Sequence, residues 1–208
     1  MKPLVWTSGL LSLVAAGAGA FIWSGVYNIA ADDPHWPVTE RVLETARERS
    51  IEARASASTV PDLDDASLIR AGAGNYDAMC VDCHLQPGED HTELSAGLNP
   101  APPNLGRERI DDPAGAFWII KHGIKMSGMP AWGKSMDDES IWGMVAFLQQ
   151  LPDMSEVRYR ELVESSEGHT HGPAESPADD HDGAAADAQD EQAATHVHAD
   201  GSAHEHKN

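Results

Sequence analysis

Cysteine is nearly absent from this chain: of 208 residues only Cys80 and Cys83 carry a thiol. With no second cysteine pair, a zinc ribbon lacks half of its ligands. Aromatic residues make up 6% of the chain, and four of the six tryptophans, Trp36, Trp118, Trp132 and Trp142, lie beyond the first apolar segment. Packing material is therefore concentrated in one modest region, Ala66 to Pro152, where apolar runs alternate with Gly and Pro. No basic tract interrupts a net charge of −20, which argues against a nucleic-acid partner because every phosphate contact would work against long-range repulsion. Charge is also missing between Lys2 and Asp32.

That uncharged stretch is the first feature present. Residues 1–31, MKPLVWTSGLLSLVAAGAGAFIWSGVYNIAA, are long enough to span, since about 20 helical residues cross a bilayer core. Ala18-Gly19-Ala20 would suit signal peptidase, but the apolar run continues through Phe21, Ile22, Trp23, Val26 and Tyr27, with aromatics where a membrane-interface belt places them. We read residues 4–27 as an uncleaved single-pass anchor, with a cleaved signal peptide as the alternative. Lys2 before the span and Asp32 and Asp33 after it set the amino terminus inside and the body on the periplasmic side of the inner membrane.

Residues 32–65 follow as a juxtamembrane segment. Within it, Val38 to Ala57 is rich in helix formers with Glu and Arg interleaved, which predicts a solvated stalk helix without a partner. STVPDLDDAS then reads as a linker. Asp65 can cap a helix that carries Leu68, Ile69, Tyr76 and Met79 towards the first cysteine. From Gln86 to Asp112, Gly, Pro, Asn and acids dominate, and NPAPPNLG can form only extended backbone or turns, so a long loop must wrap something. Asp112, Pro113 and Gly123 mark the cap, first residue and stop of a short helix. The clearest amphipathic helix has Ser135 or Asp137 as cap, Ile141, Val145, Leu148 and Leu151 on one stripe, and Pro152 as terminator. Residues 164–208 hold almost no branched or aromatic side chains and are expected to be a disordered, acidic, His-rich tail. With eleven acids against one lysine, that tail contributes −10 of the −20.

The two cysteines stand in CVDCH, residues 80–84. A thioredoxin-like site would place the pair at the start of a helix in a βαβ pattern, whereas here it follows a helix. A disulfide across two residues would constrain little chain and leave His84 unexplained. Covalent haem c attachment uses every position: Cys80 and Cys83 as thioether sites and His84 as an iron ligand. The sixth iron position draws on Met126, Met129 and Met136, with His122 as an outsider. Met129, between Gly128 and Pro130, sits on an irregular loop able to press its thioether against a flat cofactor, and Met126 could do similar work.

The segments NYDAMCVDCHLQPG, NPAPPNLG and KHGIKMSGMPAWG, followed by the amphipathic helix, make Ser67 to Pro152 resemble a class I cytochrome c domain, of the single-haem, membrane-anchored bacterial type. The resemblance implies an all-α haem domain, placed here at residues 66–163, with its first and last helices packed together around one covalent haem c. It further implies His84 and Met129 as axial ligands, with the Pro87 carbonyl orienting the His84 ring. Trp118, Ile119, Leu105 and Trp132 would shield the haem and keep its potential relatively high.

With both axial positions filled, the expected function is single-electron transfer between redox protein partners, alone or within a respiratory complex, without enzymatic turnover. Arg107, Arg109, Lys121, Lys125 and Lys134 form a basic rim suited to steering an acidic partner. Two rival functions stand beside it. The tail histidines at 169/171, 196/198 and 204/206 (His169, His171, His196, His198, His204 and His206) form three His-x-His pairs suited to buffering or delivering Cu, Ni or Zn. Without Met129 on the iron, the haem would instead be an open sensing or catalytic site.

Overall fold

The computed structural model describes residues 2–169, 195–197 and 203–205. It divides into two compact units, Met1–Ala174 and Glu175–Asn208.

The first unit is helical. Helix α1, Lys2–Ser24, is about 34 Å long at 1.5 Å per residue. Its apolar side chains from Leu10 to Trp23 stand exposed, and its Thr7–Ser24 window is long and apolar enough to cross a membrane. It stops short of Tyr27, because Gly25 takes a left-handed φ of 64°. The chain then folds back: the Tyr27 hydroxyl lies 2.7 Å from His35 Nδ1, and Trp36 packs edge-on against Tyr27 and Phe21.

Helix α2, Pro37–Ala55, starts with proline at its first position, where no backbone donor is needed. The expectation of a partnerless stalk does not hold for its second half. Ala55 is buried, and α2 lies against helix α6, Pro113–His122. Its charged pattern predicts a solvated face correctly but conceals the few apolar positions on the other side.

Helix α3, Ala66–Met79, is capped as expected: the Asp65 side chain accepts from the Ser67 and Leu68 backbone N–H groups. The Ser67 hydroxyl donates to the same carboxyl, and this bond first, then the two backbone bonds, hold it below the usual carboxylate range. Helix α4, Val81–His84, continues almost directly, and helix α5, Glu93–Ala96, is one turn inside the long loop. Helix α6 has its Asp112 cap and stops at Gly123. Helix α7, Asp138–Gln150, takes Asp137 as cap, and Ile141, Val145, Leu148 and Leu151 are all buried in the core.

The domain is organised by the crossing of α3 and α7. A Cβ on Gly72 would fall 1.9 Å from the Gly143 carbonyl oxygen, so the two backbones touch where no side chain fits. Helix α8, Glu156–Glu164, follows on a Ser155 cap and lies against α3. It buries only Tyr159 and Leu162, too sparse a pattern to stand out from its charged neighbours. Packing continues into the first residues assigned to the tail: His169 Nδ1 lies 3.2 Å from Asn75 Oδ1.

In the second unit, strands β1, Thr195–Val197, and β2, Ala203–Glu205, pair antiparallel with His196 opposite His204 in register. These are the only strands among the described residues; apart from residues 164–169, 195–197 and 203–205, the tail, including His171, His198 and His206, lies outside them.

Candidate functional site

The motif cysteines occupy the junction where α3 hands over to α4. Cys80 closes α3, and Cys83 and His84 lie in the last turn of α4. The spacings i, i+3 and i+4 put all three side chains on one helical face, and all three line a cavity of about 900 Å³. That is at the upper end of the roughly 300–1,000 Å³ usual for ligand pockets. Both cysteines are free thiols. Burial, with a smaller push from Cys83, raises the Cys80 thiol to about 12; burial and then Asp82 raise Cys83.

His84 is held by a later stretch of the long loop. Its Nδ1–H donates to the Pro103 carbonyl at 3.0 Å, which fixes the ring and leaves Nε2 with its lone pair. Burial lowers its pKa, partly opposed by the Pro103 bond, so the neutral imidazole is favoured. The expected partner, Pro87, is replaced by Pro103 for a reason of topology. The long loop returns beside α4, where the Leu105 N–H donates to the His84 carbonyl at 3.0 Å. The proline nearer in sequence does not meet the ring. A further bond sets the exit of α4: the Tyr76 hydroxyl, buried on α3, donates to the Leu85 carbonyl at 2.6 Å. Tyr76 is itself a cavity residue that sequence spacing identifies only as core.

Another wall comes from the loop after α6. Met129 lines the cavity and packs against the core. Its carbonyl accepts from the Ile124 N–H at 3.1 Å, its N–H donates to Ser127 Oγ at 3.2 Å, and the Ser127 hydroxyl donates to the Ile124 carbonyl at 2.8 Å. Gly123 is required at the base: its φ is +65°, and an added Cβ would come within 2.7 Å of the Pro130 carbonyl carbon. The other sulfur candidates point elsewhere. Met126 sits at the loop tip with φ 60° and is 92% exposed, while Met136 is buried in the core and is not part of the cavity wall. His122 pairs with Trp118, ring centroids 4.9 Å apart.

The remaining walls correct the expected shielding set. Leu105, Ile119 and Trp132 line the cavity, whereas Trp118 does not, its ring being engaged with His122. Of the basic rim, Arg107 pairs with Asp90, Arg109 with Asp153 and Lys121 with Asp138. Lys125 and Lys134 have no ion pair among the described residues. No group of three or more His, Cys, Asp or Glu side chains able to hold a metal ion occurs among the described residues.

The donor set fits a covalently attached haem. Two unpaired thiols, an imidazole nitrogen kept free by its tautomer, and a thioether on a pinned loop face one largely apolar cavity. Comparison with known families points the same way. Residues 67–148, from the first turn of α3 nearly to the end of α7, match the family model described as cytochrome C oxidase, cbb3-type, subunit III. No curated protein and no solved structure matches the chain. The four donor residues all lie within the matched segment, and residues 67–148 are a c-type cytochrome domain.

Proposed function

We propose that this chain is a membrane-anchored electron carrier with a single haem c, its α1 in the inner membrane and its haem domain on the periplasmic side. Cys80 and Cys83 are the thioether sites, and His84 and Met129 the axial ligands. The observation that carries this reading is the meeting of all four side chains in one apolar cavity. The haem supplies a one-electron couple between ferric and ferrous iron. The protein's own residues do the rest: Pro103 keeps His84 oriented, the Ser127 and Ile124 bonds hold Met129, and Leu105, Ile119 and Trp132 keep water from the cofactor.

The family model's description concerns an oxidase subunit, which supports a place beside or within a respiratory complex rather than independent catalysis. With both axial positions held by protein, substrate has no open coordination site. Lys125 and Lys134, unpaired beside the Met129 loop, are the part of the basic rim left to steer an acidic partner.

Optical spectra of the membrane-derived protein, oxidised and reduced, test the reading. Wild type is expected to give a low-spin c-type spectrum with a Met–iron band near the red edge, which Met129→Ala abolishes. A band that survives in the variant would reassign the ligand, and a wild type without the band would mean an open sensing or catalytic haem.

One observation favours a second activity in the tail. The β1–β2 register sets His196 opposite His204, and cross-strand histidines are suited to divalent metals. Calorimetric titration of the full chain with Cu(II) or Zn(II), against a His196→Ala/His204→Ala variant, separates metal buffering from a merely acidic tail; equal heats in both would remove this role from the pair.

A further inference from the structure

Four charged residues other than His84 line the cavity: Arg47, Glu108, Arg109 and Asp112. Three are engaged. Arg109 pairs with Asp153, Glu108 accepts from the Asn104 N–H at 3.2 Å, and Asp112 caps α6 through the Gly115 N–H at 3.0 Å. Arg47 is half-buried and among the described residues has neither an ion pair nor a side-chain hydrogen bond. Its helical neighbour Glu44, three residues earlier on the same face, does not pair with it. A cation kept partly out of water without a partner is costly, and such a group in a ligand cavity marks where an anion belongs. Ile51, one turn further along α2, lines the same cavity, so the juxtamembrane helix contributes both a charge and an apolar contact.

We propose that Arg47 binds a carboxylate of the haem, one of its propionates, making the juxtamembrane helix α2 part of the cofactor site. The inference rests on the proposed haem-carrier function. Its chemistry is that of guanidinium and carboxylate, planar groups able to meet through two parallel hydrogen bonds. Ile51 covers the adjacent apolar edge. The family match begins at residue 67, so this contact comes from outside the matched domain and belongs to this chain's own anchor region.

The sign of the effect follows from charge. A guanidinium near the iron disfavors the ferric state, which carries one more positive charge, so removing it lowers the midpoint potential. The test uses the full-length holoprotein in nanodiscs, comparing wild type with Arg47→Gln, Arg47→Lys and, as a control on an exposed position of the same helix, Arg41→Gln. Arg47→Gln is expected to lower the potential and shift the propionate bending band in the resonance Raman spectrum. Arg47→Lys should retain most of the potential while still shifting that band, because it keeps the charge and loses the fork. Arg41→Gln should change neither. An Arg47→Gln protein with wild-type potential and Raman spectrum, or an equal drop in Arg41→Gln, would overturn the assignment. A pyridine haemochrome assay of wild type keeps the two levels apart: absence of thioether-linked haem overturns the carrier function together with this site, whereas haem present but unmoved by Arg47→Gln overturns this site alone.

Discussion

Two walls of the cavity differ in construction. One presents Cys80, Cys83 and His84 from a single stretch of helix; the other presents Met129 from a loop. The helical wall owes its geometry to local periodicity, since residues i, i+3 and i+4 share a face whatever surrounds them. The loop wall owes its geometry to bonds made within the loop and to a glycine at its base. Chemistry that needs several groups at fixed mutual spacing is placed on the helix, and the single adjustable contact is placed on the loop.

The most drastic way to break this comparison is to disrupt what both walls share. Gly72→Val drives a side chain into the Gly143 backbone, and overpacking where only backbone can give way should cost about 3 kcal/mol or more. A large fall in melting temperature, with loss of both walls' spectral signatures, is expected; a near-native melt would show that the crossing can open without penalty.

Gly123→Ala separates the walls. Its left-handed φ and its contact with Pro130 predict a cost of about 1–3 kcal/mol, falling on the loop. The Met–iron band should weaken while thioether attachment persists, a contrast readable from one absorbance spectrum and one haemochrome assay. Tyr76→Phe makes the converse change. It removes the hydroxyl that satisfies the Leu85 carbonyl behind α4, at about 1–2 kcal/mol, and denaturant unfolding should register the loss with the Met–iron band intact. Met126→Ala should do least. Its side chain is 92% exposed, so stability should change by less than about 0.5 kcal/mol, and the Met–iron band should stay; disappearance of that band would move the sulfur ligand from 129 to 126.

The same contrast explains what could be read from sequence. Cys80, Cys83 and His84 sit within five residues, so their convergence depends only on local backbone, and the caps at Asp65, Asp112 and Asp137 are equally local. Placing Met129 rather than Met126 on the cavity could be argued from flanking Gly128 and Pro130, because those residues constrain the loop directly. Pro103 could not be singled out. It reaches His84 across nineteen residues of loop, and only the return path of the chain decides whether it or Pro87 meets the ring. Trp118 failed similarly, since helical spacing assigns it a face but not what that face meets. The wall contributed by α2 was hidden for another reason: Arg47 and Ile51 are two positions in a helix otherwise patterned for water. Helix α8, with only Tyr159 and Leu162 buried, is concealed in the same way.

The twelve residues between α1 and α2 have a consequence for how electrons are delivered. Tyr27 and His35 join, Trp36 seats against Phe21, and Asn99 Nδ2, on the loop that wraps the cavity, donates to the Asp33 carbonyl at 3.3 Å. A connector fastened at both ends does not act as a slack leash. With α1 in a bilayer, the cofactor would ride at a set height above the lipid, and its search for a partner would become a lateral one, confined to proteins that present their own redox centre at that level.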